Sequence, residues 1–259
     1  MKQLIFVSGL PRSCSTLLCN LLAQHPDVHA VPTSFVYDLA EHARKAIETM
    51  TAKATPPEDV EKIATDFVRG GVLNAFNSVT DLPVVTEKSR AWVMSPDLLF
   101  YLFPDAKLVV PVRDIRSVIT SLEKKHRQHP VRLGAGEDAS WVTQEGRVNG
   151  FLKMIGGAIQ GVHETASRFR SRVKFVHAED LTAMPSEVMS SVWDYLSMTA
   201  PDHDFDNVVA AFEEIDVGWP YGDHVIRPKV EPLQKEWNDV LGRQLSEQLK
   251  QKFDWINAL

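Results

Sequence analysis

The sequence predicts an α/β protein of three layers, α/β/α, with helices on both faces of a central parallel sheet. Three observations lead there. LPVVTEK (Leu82–Lys88) and KLVVPV (Lys107–Val112) are short β-branched runs flanked by breakers, the form of strands buried on both faces. Segments of helical period alternate with such runs, which makes βαβ units and hence parallel pairing. In FVSGLPRSCSTLLCNLLAQHP (Phe6–Pro26) an apolar run breaks on Gly9 and Pro11, then returns at helical spacing through Leu17, Leu18, Leu21 and Leu22. Such a segment delivers a buried strand to the start of a helix.

The elements follow in order. Strands are expected near residues 3–8, 83–87, 107–112 and 173–177, with a short one at Val28–Val31 ending on Pro32. A polar helix is expected from Thr33 or Ser34 to about Thr51. The loop ATPPED (Ala54–Asp59) then leads into a helix through Asn77. Further helices start near Pro96 and at Asp114, the latter running to about His126. A Gly-containing loop, RLGAGED, precedes a long helix from Ser140 to Phe169. RVKFVHAEDL (Arg172–Leu181) carries the last strand, and helices are expected over Pro185–Leu196 and Phe205–Ile215. Gly218–Pro232 holds too many prolines and glycines to be regular, and a terminal helix closes the chain. The 259 residues suit one large domain spanning 1–259, with no repeat, low-complexity tract or linker.

Bulk composition narrows the function classes. Hydrophobic content of 44% with 24% charged residues belongs to a folded globular chain. A net charge of −6 argues against general attraction to nucleic acid or an acidic membrane, so any phosphate site must be a local basic pocket. Nothing approaches the roughly twenty apolar residues of a membrane span. Met1-Lys2 before LIFVSGL imitates a signal peptide, but the apolar run is only Leu4–Val7, so it reads as a buried strand. Cys14 and Cys19, five apart, point to different sides, and the chain reads as reduced, soluble and cytoplasmic. Its oligomeric state is open.

The segment from Gly9 to Thr16 reads as an anion cradle. A helix N-terminus offers unpaired N–H groups and about half a positive charge, and Arg12, Ser13, Ser15 and Thr16 add a guanidinium and three hydroxyls. The Walker pattern is absent, because Cys14 and Ser15 stand where Gly-Lys would be. KLVVPVRDIRSVITSLEKKHR (Lys107–Arg127) repeats the architecture: a strand ends at Arg113, and the next helix carries Ser117 and Ser121 four apart on one face. A guanidinium and a hydroxyl converging there suit a second phosphate.

SGLPRSCSTLLCNLLAQHPD resembles the phosphosulfate loop of the sulfotransferases that use 3′-phosphoadenosine 5′-phosphosulfate (PAPS). It is more similar to the tyrosylprotein and carbohydrate branches than to the cytosolic phenol-sulfating branch. The resemblance implies a P-loop NTPase-like sulfotransferase fold, PAPS as co-substrate, 3′-phosphoadenosine 5′-phosphate (PAP) as product, and no required metal. It places Arg12, Ser13, Cys14, Ser15, Thr16 and Leu17 on the donor's 5′ end. Arg113 and Ser121 match the first Arg and last Ser of the family's 3′-phosphate motif, and VIRPKVEPLQKEW resembles its late basic loop, which assigns Arg227 and Lys229 to the same phosphate. The family usually has glycine at the position of Cys14, where the cysteine either fits as a small residue or carries a lowered thiol pKa. It often has tyrosine at the position of Ala178, so the adenine contact must differ. The resemblance is strong at the two anchors and weak in Val31–Asp81 and Gly134–Arg170, where acceptor specificity is expected.

Sulfuryl transfer needs alignment, stabilisation of charge on the departing phosphate, and removal of the acceptor's proton. Arg12 with the loop amides serves the second need. TEKSRAW places Lys88 and Arg90 at the same sheet edge; by resemblance Lys88 contacts the bridging oxygen, with Arg90 its understudy. For the base, the tyrosylprotein branch has a glutamate in the stretch matching VHAVPTSFVYD, and this chain has none there. Asp38, Glu41, His42 and Glu87 are the candidates, and Asp38 is the choice. The expected reaction moves a sulfonate from PAPS to a hydroxyl or amine of a small molecule, sugar or peptide. The alternatives are a P-loop kinase, which the missing Gly-Lys-Ser/Thr disfavours, and a non-catalytic nucleotide-binding module.

Overall fold

The computed structural model describes residues 2–31, 34, 36–53, 57–128, 139–212 and 227–259. Five parallel strands form one sheet: β1 (Gln3–Val7), β2 (Val28–Val31), β3 (Val84–Lys88), β4 (Lys107–Val112) and β5 (Val173–His177), in the order β2-β3-β1-β4-β5. Register pairs Val7 with Lys88 and Phe6 with Glu87 on one side of β1, and Val7 with Val109 on the other. The order reverses between β1 and β4. In an open α/β sheet, the crevice beyond the carboxyl ends at such a reversal is where ligands bind. The strands expected from sequence all form and all run parallel.

Alternation along each strand divides the core. Leu4, Phe6, Val85, Leu108 and Val110 face one way, and Ile5, Val7, Val84 and Val109 the other. The second face is covered by α1 (Ser15–Leu22), through Leu18, Leu21 and Leu22, and by α8 (Pro185–Leu196), through Val192 and Trp193; the short α7 (Ala178–Ala183) links β5 to α8. Helices α2 (Val36–Thr51), α3 (Pro57–Val79), α4 (Pro96–Leu102), α5 (Ile115–Gln128) and α6 (Gln144–Arg168) cover the first face. The terminal helix is split by Gly242, at φ 80°, into α9 (Trp237–Leu241) and α10 (Arg243–Phe253). The expected loop RLGAGED, Ala54–Pro56 and Gly218–Ile226 lie outside the described residues.

One expectation fails. Residues Phe205–Phe212 of the expected helix Phe205–Ile215 are not helical. The carboxylate of Asp204 accepts from the backbone N–H of Asp206 (3.0 Å) and Asn207 (2.9 Å), a local turn that competes with helix initiation. The backbone then bonds to a later segment, with Val208 N–H donating to Pro228 and Val230 N–H to Phe205. This hook holds Arg227–Val230 against the body of the protein.

Gly9, two residues past β1, lies tight against β4. A Cβ there would sit 2.2 Å from the carbonyl oxygen of Pro111, a backbone atom that cannot move aside alone. Gly9→Ala should therefore destabilise by about 1–3 kcal/mol or more through overpacking, read as a lower urea midpoint at unchanged slope. A wild-type midpoint would show that β4 yields there.

Candidate active site

The loop after β1 turns sharply at two residues. Arg12 (φ 61°) and Cys14 (φ 63°) both occupy the left-handed region, which explains why related loops prefer glycine at the second position. Cys14 is the N-cap of α1 and makes no side-chain cap, so its side chain does not occupy the first turn, whose amides point toward the loop. Burial pushes the Cys14 thiol up, against the pull of Arg113, Arg12 and Arg227 and with Glu179 adding to the rise. It is thus a small, half-buried residue rather than an activated thiolate, and both cysteines are free thiols. Ser13 is buried and donates to the Leu10 carbonyl, bracing the loop from within.

The second anchor meets this loop directly. Arg12 Nε donates to Ser121 Oγ of α5 at 3.0 Å, and an Arg113 terminal nitrogen donates to the Arg12 carbonyl at 2.9 Å. Arg113 Nε lies 3.9 Å from Glu179 and is buried without a hydrogen-bond partner. Asn20 Nδ2 and Thr120 Oγ1 are likewise buried donors without partners. All three line a cavity of about 580 Å³, whose wall also holds Arg12, Cys14, Ser15, Thr16, Leu17, Ser117, Ser121, Lys124, Lys125, Arg227 and Lys229. Unsatisfied buried donors carry a free-energy cost unless something accepts from them. A polyanion bearing two separated phosphates answers both the donors and the positive charge, so the residues fit PAPS.

Every donor-binding candidate except Ser13 lines this cavity. Arg227 reaches it through the hook described above, and Lys229 Nζ is paired with Asp206 at 2.8 Å. Lys88, the last residue of β3, is 6% exposed, and its Nζ donates to Thr16 Oγ1 at 3.2 Å. It therefore stands beside the first turn of α1. Arg90 is half-buried in the turn after β3. Asp38 is exposed in the first turn of α2.

Glu87 points to the opposite face of the sheet from Lys88. It is 1% exposed; its Oε1 accepts from Ser34 Oγ at 2.9 Å and its Oε2 from Trp92 Nε1 at 2.6 Å. Burial pushes its pKa up to about 7, in spite of those bonds, a backbone N–H from Ser34 and the charge on Lys88. Trp92 is itself wedged edge-on between Phe6 and Tyr37, with ring centroids 5.1 Å from each.

The model of the sulfotransferase family matches residues 5–202. The chain belongs to the sulfotransferase family. Solved structures agree on the fold. The sulfotransferase domain of the curacin biosynthetic pathway is 19% identical with a TM-score of 0.53, covering 99% of this chain and 92% of its own. That of the olefin synthase of Synechococcus PCC 7002 is 17% identical with a TM-score of 0.55, covering 98% and 94%. A mouse sulfotransferase complexed with PAP is 12% identical with a TM-score of 0.55, covering 100% and 88%. Among curated proteins none matches the chain in sequence.

In this sulfotransferase, sequence reasoning missed Asn20, Thr120, Lys124, Lys125 and Thr182 as cavity residues. Thr120, Lys124 and Lys125 had a findable signal, since all are within four residues of Ser121 on α5, and so had Asn20, four residues after Thr16 on α1; Thr182 had none, because its place depends on packing between distant segments. Among the described residues no cluster of His, Cys, Asp and Glu has the form of a metal site, and no helix is long and apolar enough to cross a membrane.

Proposed function

We propose that the protein transfers the sulfonate group of PAPS to a hydroxyl or amine acceptor, releasing PAP. The observation that carries this reading is the buried, unpartnered Nε of Arg113 in a basic cavity that also receives the loop after β1. Two phosphate anchors at adjacent strand ends suit a nucleotide phosphorylated at both ribose positions. PAPS supplies an activated sulfonate on a 5′-phosphate leaving group. The chain's residues supply the rest. Arg12 and the α1 amides hold the 5′ end, and Arg113, Ser121, Arg227 and Lys229 hold the 3′ end. Lys88, with Arg90 behind it, is set to meet charge on the departing oxygen, a role realised mainly in the transition state. The acceptor is a small molecule, sugar or peptide.

Calorimetric titration tests the donor assignment. A charge-assisted Arg–phosphate contact is worth roughly 1.5–3 kcal/mol, so PAP should bind about ten- to a hundredfold more tightly than adenosine 5′-monophosphate. Arg113→Ala should erase most of that preference, lowering PAP affinity far more than monophosphate affinity. Equal affinities in the wild type would defeat the reading, and a preference for ATP with magnesium would favour a kinase instead.

A further inference from the structure

A carboxylate buried without a salt bridge among the described residues, adjacent in sequence to the lysine assigned to the leaving group, is the feature that the donor site does not use. Glu87 and Lys88 share the carboxyl end of β3 but point to opposite faces. Glu87 is hydrogen-bonded to one group that is half-buried, Ser34, and one that is fully buried, Trp92. Ser34 stands three residues beyond β2, at the same carboxyl edge as the loop after β1.

The chemistry of the two partners is unequal. An indole N–H only donates, so Oε2 must remain an acceptor whatever the charge on Glu87. A serine hydroxyl both donates and accepts, so a proton arriving at Glu87 has one well-matched seat, Oε1, where it is donated back to Ser34 Oγ. The hydrogen bonding is thus consistent with both protonation states, and the exchangeable position faces the half-buried serine.

Building on the PAPS reading, we infer that Ser34 and Glu87 form a two-step proton relay that takes up the proton of the acceptor, with Ser34 touching the acceptor and Glu87 acting through it. As the acceptor oxygen or nitrogen bonds to sulfur, its proton passes to Ser34 Oγ while the Ser34 hydroxyl proton passes to Glu87 Oε1. The sulfur–oxygen bond to the 5′-phosphate breaks, and its electron pair stays on the phosphate oxygen beside Lys88. Glu87 then returns the proton to water by the same route. Charge is conserved, and no co-reactant beyond donor and acceptor is needed.

The surroundings suit that role. The neighbours of Glu87 in register are Phe6 on β1 and Val31 on β2, and Tyr37 of α2 packs against Trp92 from outside. Among the described residues, the charge on Lys88 acts on it and favours the carboxylate. An ordinary carboxylate would be too weak a base at neutral pH, whereas one raised to about 7 by burial matches the pH at which it must both accept and release a proton.

The test compares wild type, Glu87→Gln, Ser34→Ala and Ser34→Thr, using PAPS as donor and a panel of a primary alkanol, a phenol and an alkylamine. General-base removal typically costs about a hundredfold or more, so Glu87→Gln and Ser34→Ala should each lower kcat by about that factor at unchanged PAP affinity. Ser34→Thr, which keeps the hydroxyl, should recover much of the loss. The wild-type rate should rise through about pH 7, and that limb should vanish in Glu87→Gln. A purely structural role would alter stability and leave the limb in place. Infrared difference spectra of wild type against Glu87→Gln, without any acceptor, should show a carboxyl group titrating near 7. Full turnover in Glu87→Gln, or a retained limb, would overturn the relay while leaving the donor assignment standing. A wild type that fails to prefer PAP over adenosine 5′-monophosphate would instead defeat the donor reading on which the relay rests. Should Glu87→Gln misfold, Ser34→Ala and its threonine rescue decide alone.

Discussion

Replacing Lys88 by Met should lower turnover by about a hundred- to a thousandfold, while PAP affinity changes by only a few-fold. Loss of one preorganised donor aimed at developing negative charge has that size in other enzymes, because the interaction is realised chiefly in the transition state. The geometry supports the same split. Lys88 is 6% exposed, braced by Thr16 at 3.2 Å, and so is placed before any charge appears. Methionine keeps the length and apolar stem of the side chain, so the change is mainly electrostatic. Single-turnover rates with saturating PAPS, compared with PAP titration, make the measurement. Unchanged turnover would move the role to Arg90 or Arg12.

Arg147→Met should cost about 3–5 kcal/mol of stability, at the lower end if Arg127 swings in to compensate. Glu123 of α5 has no exposed side-chain surface; it accepts from Arg147 of α6 at 2.7 and 2.9 Å and from Arg127 at 2.9 Å. Arg147 also donates to the carbonyls of Trp141 (3.2 Å) and Val142 (3.1 Å). Removing it leaves a buried carboxylate short of partners and frees two carbonyls at once. Burial would raise the Glu123 pKa, but the bonds from Arg147 and Arg127 outweigh it and hold the group below its usual range. A depressed folded-state pKa stabilises above the unfolded value, near 4.3, and that contribution fades as pH falls through the folded value. The gap between wild type and variant should therefore be largest near neutrality and narrow in acid, as urea unfolding across pH would show. A constant gap would assign the effect to packing. Because α5 also carries Ser121, the variant is expected to weaken the proposed 3′-phosphate anchor as well.

The sheet was legible because each strand is a short apolar run between breakers, and periodicity reports burial on both faces without knowledge of neighbours. The loop at Gly9–Thr16 was legible for a different reason: tight turns and helix starts draw on few residue types. The expected helix at Phe205–Ile215 misled because its spacing is helical, yet Asp204 caps a turn there and the backbone bonds to Pro228 and Val230, which lie far along the chain. Glu87 was recognisable as one candidate base among four, but nothing local distinguished it. Its partners Ser34 and Trp92 come from two other segments, and its elevated pKa comes from burial that only the assembled sheet produces. The choice of Asp38 followed from its position alone; in the fold it is solvent-exposed, and our inference assigns the proton to the interior instead.

The direct contact between the loop after β1 and the helix after β4 has a thermodynamic consequence. Arg12 donates to Ser121 while its own carbonyl holds Arg113, so neither anchor can be repositioned without disturbing the other. Affinities at the two ends of a ligand are then linked rather than summed, and linkage is reciprocal. A molecule gripping one end sets the geometry of the other, and a molecule with a single phosphate meets a clamp that nothing has fully set. The same coupling acts on departure. A nucleotide held at both ends must release both before it leaves, so loosening either anchor should shorten its stay.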